Sequence, residues 1–320
     1  PASRAESPRY PGHLQDFYDN PSTNRRSLEY YSSVGMGPAY WGPVTADYNW
    51  CEQDYKITPY VAEFFNTASS LAVVLAGVIF GRQACEHKYG VRFYVAALGL
   101  VVIGLGSVAF HGTLQRWGQV LDEVPMLWSS LVFLWISVCN ALGKQAEAAW
   151  STRLAGLMFC VGAGSTWVYF NSGFGFFIVT YVLTVAGIFI TTLVRASYAP
   201  KRYATAKKYA YLSVAFYGAG FFFLWIPEQV LCGNRIHDTH DSGLLALPIP
   251  LHAFFHITSS IGPLCFLTFV VYDFLEKRKR MPKLESEHAP EFCGMVSIPV
   301  VTAQDPVPGR SSRLRGDELR

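Results

Sequence analysis

Charge is scarce in this sequence. Only 15% of its 320 residues are Asp, Glu, Lys or Arg, whereas a soluble domain carries about 25%. The shortage argues against an ordinary soluble enzyme and for a membrane. A net charge of +3, with basic residues confined to a few short loops and the tail, is too small and too local for a nucleic-acid footprint. Cysteine is scarce too: the seven residues are too few and too scattered for a disulfide framework, and no Cys-x-x-Cys occurs. No internal repeat or low-complexity tract stands out. No cleavable signal peptide is visible either, because Pro1 to Tyr40 holds no apolar core segment, so the first membrane helix would direct insertion.

Long apolar runs are what the chain has. Seven lie near the ~20 residues that cross a hydrocarbon core: Tyr60–Phe80, Phe93–His111, Asp122–Leu142, Leu154–Asn171, Phe174–Val194, Tyr209–Leu231 and Leu251–Phe274. They predict an all-α membrane protein, a seven-transmembrane helix bundle. Arg82, Lys88 and Arg92, then Arg195 to Lys208, then Lys277 to Arg280 fall on one side of a seven-helix count. The positive-inside rule therefore predicts a luminal N-terminus and a cytosolic C-terminus. Residues 1–39 read as a disordered or peripheral arm, 40–275 as the membrane domain and 276–320 as a disordered cytosolic tail. Tyr40 to Tyr60 mixes aromatics with acids, a composition of the membrane–water interface. Cys139, Cys160 and Cys265 fall inside apolar runs and read as packing residues. Cys51 and Cys232 lie just outside helices on the luminal side, where a disulfide is compatible with an oxidising compartment.

Chemistry concentrates in three places. Ser107 and His111 stand four residues apart near the end of the second run, and His252 and His256 repeat that spacing at the start of the last. A spacing of four puts both side chains on one helix face. Polar residues in membrane helices are costly and functional by default. Three histidines suit a catalytic zinc, which keeps three protein ligands and one exchangeable position. His237 and His240, in an acidic luminal loop, are alternative ligands. The bland reading makes the histidines interhelical hydrogen-bonding glue.

Asp122, at the luminal end of the third run, is placed to act as base, with helix capping as its alternative. Ser107 is placed to hydrogen-bond a carbonyl oxygen as charge develops, with packing as its alternative. Glu123 competes for the base role but should point about 100° away around the helix. Finally, Asn49, Glu52, Asp54 and Glu63 gather oxygen donors suited to calcium. Their spacing is not that of an EF-hand, and a solvated acidic loop is the alternative.

Combined, several motifs resemble the alkaline ceramidase family, seven-helix zinc amidases of a superfamily that includes the progestin/adipoQ receptors. They are Tyr40-Trp41-Gly42-Pro43, Trp50-Cys51-Glu52, Ala62-Glu63-Phe64-Phe65-Asn66-Thr67, Gly106-Ser107 with Phe110-His111, Leu121-Asp122-Glu123-Val124-Pro125-Met126, and His252-Ala253-Phe254-Phe255-His256. The resemblance runs from about Tyr40 to Phe274. It implies zinc on His111, His252 and His256 with Ser107 and Asp122 beside it. It also implies calcium on the side chains of Asn49, Glu52, Asp54 and Glu63 and the backbone carbonyl of Trp50. Asn49 and Asp54 exchange the Asp and Asn of the family pattern, which keeps the formal charge. Cys51 and Cys232 match the family's luminal disulfide.

The implied reaction is hydrolysis of the ceramide amide to a sphingoid base and a fatty acid. The expected substrate is a membrane lipid, with no nucleic acid and no obligate protein partner. The expected location is multi-pass, in the endoplasmic reticulum or Golgi membrane. An ester hydrolase of the GPI-remodelling type, or a seven-helix receptor with structural zinc, would use the same residues differently. A transporter would need discontinuous helices and an internal repeat, and neither is visible.

Overall fold

The computed structural model describes residues 40–42, 44–48, 50–232, 250–288 and 297–303. Its helices are α1 (Phe64–Glu86), α2 (Val91–Thr113), α3 (Arg116–Ala141), α4 (Lys144–Ser172), α5 (Phe174–Tyr198), α6 (Ala204–Gly220), α7 (Ile226–Cys232) and α8 (Leu251–Lys277). A 3₁₀ turn at Lys201–Tyr203 leads into α6, and a π-helical turn at Phe221–Trp225 joins α6 to α7. Six helices, taking Lys201–Val230 as one, are long and apolar enough to cross a membrane. The α4 helix has the length, at 29 residues, but falls outside that apolar set. Its first turns carry Lys144, Glu147 and Arg153, and Gly156, Gly162, Gly164, Ser165 and Thr166 dilute the rest.

Outward faces are apolar: Leu98 and Leu105 on α2 and Leu183 and Ile190 on α5 are all exposed. Rows of large aliphatic side chains turned outward from several helices suit lipid rather than water. The contacts between helices use small residues, as membrane packing requires. A side chain at Gly77 would meet the Val101 nitrogen at 2.7 Å, so α1 and α2 touch backbone to backbone. Further packing sets α2 on α3, α3 on α5, and α8 on both α1 and α6.

The two ends of the bundle differ. At one, Arg92 pairs with Glu147 at 2.9 Å and Asp273 with Arg195 at 2.5 Å and Lys277 at 3.2 Å. At the other, residues 44–62 fold over the helix ends. There Tyr48, Trp50 and Tyr55 are buried with Phe110 and Leu114, while Tyr40, Trp41 and Tyr60 are exposed. Only the second group fits the expected interfacial position; the first forms a roof over the bundle.

Three expectations change. The third run was expected to open at Asp122, yet α3 begins at Arg116, and the polar stretch Gln115–Gln119 continues into the helix because Gln119 is buried and hydrogen-bonded. Asp122 is therefore in the helix interior and is no cap. Glu63 precedes α1 instead of lying within a span. The tail is not wholly disordered: β1 (Pro282–His288) and β2 (Ser297–Ala303) pair antiparallel, with Leu284 opposite Val301. Val300 and Val301 are buried, and the Tyr89 hydroxyl donates to the Val301 carbonyl at 2.9 Å. A short apolar stretch in a polar tail finds its core only against the bundle. The arm at 1–39 lies outside the described residues.

Candidate active site

The last turn of α2 would leave carbonyls without partners. The segment entering α1 supplies them: Ala62 N–H donates to the Gly112 carbonyl at 3.0 Å and Glu63 N–H to the His111 carbonyl at 2.9 Å. This pairing brings the Glu63 carboxylate to His111 Nδ1 at 2.5 Å. His111 Nδ1–H donates to it, and Nε2 is left as a lone-pair donor. At the start of α8, Glu228 accepts the His252 N–H at 2.5 Å and the Cys51 N–H at 3.1 Å, tying α7, α8 and the roof together.

His256 is fixed from α1. Its Nδ1 lies 2.8 Å from Ser69 Oγ. Since Ser69 donates to the Asn66 carbonyl, its oxygen is left to accept Nδ1–H, and His256 Nε2 keeps its lone pair. That nitrogen is 3.5 Å from Ser107 Oγ. The indole of Trp50 stacks on His252, ring centroids 3.4 Å apart.

The three rings meet. Potential ligand atoms of His111, His252 and His256 all lie within 4.8 Å of one another, and all three residues are buried. His111 Nε2 and His252 Nδ1 have no hydrogen-bond partner. Buried polar atoms are nearly always satisfied, so these two nitrogens and the convergent triad fit a metal ion that accepts their lone pairs. The carboxylate and hydroxyl holding the distal nitrogens are the usual outer support of a histidine metal site. Ser69→Ala should therefore weaken metal retention roughly 10- to 100-fold, read by competition with a chromogenic chelator, and Ser69→Thr should restore it.

Beside the triad, Ser107 accepts a hydrogen bond from Ser70 at 3.0 Å and faces the Asp122 carboxyl. Ser107, Asp122, His252 and His256 line one cavity of about 130 Å³, whose other walls are largely aromatic and aliphatic. Such a cavity, apolar with a few convergent polar groups, is the usual form of a small-molecule or lipid site. Glu123 lines it too.

The expected calcium donors come together only in part. Asn49 lies outside the described residues, as do His237 and His240. Glu52 accepts the N–H groups of Phe65 and Asn66 at 2.7 and 2.9 Å. Glu63 accepts the Trp50 N–H at 3.2 Å. Among the described residues these carboxylates form no cluster of three comparable to the histidines. Burial pushes the Glu52 carboxyl up, and burial followed by the charge of Glu52 pushes Glu63 well above its ordinary range. Asn66, wholly buried beside Glu63, has both amide atoms without partners. A cation there would relieve the two carboxyls and accept a lone pair from Asn66 Oδ1.

Sequence reasoning missed Ser69, Ser70 and Glu228. Glu228 had a signal, being the one acid inside the run Tyr209–Leu231. The serines had none, because serine is ordinary at membrane helix contacts.

Comparison with known proteins adds an independent line. The model of the ceramidase family matches residues 42–302, a range that includes most of the β-hairpin. Alkaline ceramidase 3 of Mus musculus is 28% identical over 249 residues, covering 74% of this chain and 89% of its own. Alkaline ceramidase of Arabidopsis thaliana is 25% identical over 253 residues, 77% and 91% respectively. Alkaline ceramidase 1 of Mus musculus is 26% identical over 273 residues, 82% and 92%.

Proposed function

The chain belongs to the ceramidase family, and from that premise we propose that it hydrolyses the amide bond of ceramides to a sphingoid base and a fatty acid, with zinc on His111, His252 and His256. One observation carries the reading: unpartnered imidazole nitrogens converge beside Ser107 and Asp122 in an apolar cavity.

When bound, zinc supplies a Lewis acid and lowers the pKa of a water to about 7. The chain's own groups do the rest. Asp122 takes a proton from the attacking water and hands it to the amide nitrogen as the C–N bond breaks. Ser107 Oγ–H donates to the substrate carbonyl, where negative charge develops. Glu63 and Ser69 keep His111 and His256 in the tautomers that present Nε2. Trp50 roofs the site and limits bulk water.

Calcium is assigned to the side chains of Asn49, Glu52, Asp54 and Glu63 and the Trp50 carbonyl. Its support is the buried Glu63 carboxyl, the half-buried Glu52 carboxyl that acts on it, and the unsatisfied Asn66 Oδ1. Each Glu52 oxygen keeps a second lone pair beyond its backbone hydrogen bond. A Cys51–Cys232 disulfide has parallel support: Glu228, one turn before Cys232 on α7, holds the Cys51 N–H, and the Cys232 side chain lies outside the described residues.

We also take α4 as the seventh span. Its start pairs with Arg92 and Arg278 at one end of the bundle, and its Tyr169 sits under Arg116 at the other. With the basic clusters cytosolic, the histidines face the lumen of an endoplasmic reticulum or Golgi membrane.

The deciding experiment is fatty-acid release by detergent-purified protein from ceramide, dihydroceramide and phytoceramide, with and without zinc or calcium chelators. Release that is sensitive to a zinc chelator, and lost in Ser107→Ala and His252→Ala, is expected. Calcium removal should lower Tm as well as activity. Release from a lipid ester and from no ceramide would move the site to ester hydrolysis.

A further inference from the structure

The cavity wall holds a carboxylate that this mechanism does not use. Glu123 is 3% exposed and lines the cavity next to Asp122. Its Oε1 accepts Gln119 Nε2 at 2.9 Å, and Gln119 Oε1 in turn accepts the Asp47 N–H at 2.8 Å. Asp47 is also held by Arg116 at 2.7 Å. The carboxyl is thus braced from α3 to the roof. Its second oxygen, Oε2, is buried and has no hydrogen-bond partner. The Tyr169 hydroxyl faces the Glu123 carboxyl without closing a hydrogen bond, and it too is buried and unpartnered. An acceptor left open in an apolar cavity is unfavourable, more so if charged, and a rigid brace keeps it from turning elsewhere.

We propose that Glu123 Oε2 is a specificity-determining contact for the sphingoid head, accepting a hydrogen bond from an alcohol β to the amide nitrogen. This rests on the amidase reading above. The scissile amide is placed between Ser107, Asp122 and the triad, with Ser107 Oγ 3.5 Å from His256 Nε2. Glu123 lines the same cavity as Ser107, Asp122, His252 and His256 from a different direction around α3, so a head whose amide lies at the triad brings its other polar groups between the same walls. Before cleavage that nitrogen is uncharged and its own N–H belongs to the reacting amide. The remaining donors on the head are hydroxyls. Two alcohols stand β to the nitrogen, the primary and the secondary, and a lipid lacking the relevant one leaves Oε2 unpaired.

The test compares kcat/KM for ceramide with two analogues of the same chain lengths, one lacking the primary hydroxyl and one lacking the secondary. The wild-type protein should disfavour one analogue roughly 10- to 100-fold; which one identifies the alcohol. In Glu123→Met, which keeps volume and removes the acceptor, ceramide should fall to the level of that analogue, and the analogue should fall no further. An equal loss on all three lipids, or no loss on any, overturns the proposal. So does a wild-type protein that does not discriminate, a result that needs no folded variant. Binding of sphingosine and its two deoxy analogues to the metal-loaded protein supplies a readout apart from turnover. A protein that releases no fatty acid defeats the amidase reading, yet a wild-type preference for one hydroxylated base, lost in Glu123→Met, would still establish the contact. Equal affinity for all three bases would remove it.

Discussion

His111→Ala is expected to empty the metal site and to lower fatty-acid release by on the order of 10³-fold, the factor that corresponds to losing about 4 kcal/mol of transition-state stabilisation. His111 contributes more than one ligand. Its Nδ1 is the partner of Glu63 Oε2, and Glu63 also receives the Trp50 N–H. Removing the ring strands a buried carboxylate between α1 and α2, so a lower Tm should accompany the metal loss. Glu63→Gln separates the two effects. It keeps a hydrogen-bond acceptor for His111 while removing the charge, so it should retain metal more weakly without emptying the site. Metal content by elemental analysis, measured beside turnover, decides the matter. A His111→Ala protein that keeps stoichiometric metal and activity would show that the triad is not the reacting centre.

How far this site could be read from sequence depends on what each residue is doing. His111, His252 and His256 stood out because imidazoles in apolar runs need partners, and their spacing of four fixed two of them to one face. Ser107 and Asp122 were legible by adjacency to those signals. Glu123 was set aside because it points about 100° from Asp122 around the helix. That rotation is real, but the cavity wraps far enough around α3 for both carboxyls to line it, and the width of a cavity is a tertiary property. Ser69, Ser70 and Gln119 act through contacts distant in the chain, and nothing in their own surroundings marks them. The helical runs were legible for the same reason the serines were not: hydropathy is a local sum, and a contact is not. Among those runs the fourth is least apolar, and its helix falls outside the set long and apolar enough to cross a membrane. The hairpin after α8 is the opposite case, since β2 is too short to stand out until Tyr89 and α8 bury Val301.

The second large effect is expected at a residue with no chemistry of its own. A Cβ placed at Gly106 would lie 1.9 Å from the Leu121 carbonyl oxygen and 2.9 Å from the Asp122 nitrogen, distances that only backbone movement can relieve. The carbonyl is available for this approach because Pro125, within α3, lacks the N–H that would bond the carbonyl four residues before it. Proline thus frees the Leu121 oxygen, and glycine lets α2 come close to it. The same contact sets Ser107, the next residue on α2, beside Asp122, the next residue on α3. Gly106→Ala must push the two helices apart, and a displacement on the order of 1 Å at a reacting centre costs about 10²-fold in rate. The histidines, Glu63 and Ser69 lie on α1, α2 and α8 or just before α1, away from the α3 side of the contact. Metal content should therefore stay near that of the wild-type protein while kcat falls at least 10²-fold, a split that neither unfolding nor metal loss produces. Equal loss of metal and turnover would assign Gly106 to general packing, and unchanged turnover would mean that the Ser107–Asp122 approach is not what the close helix contact maintains.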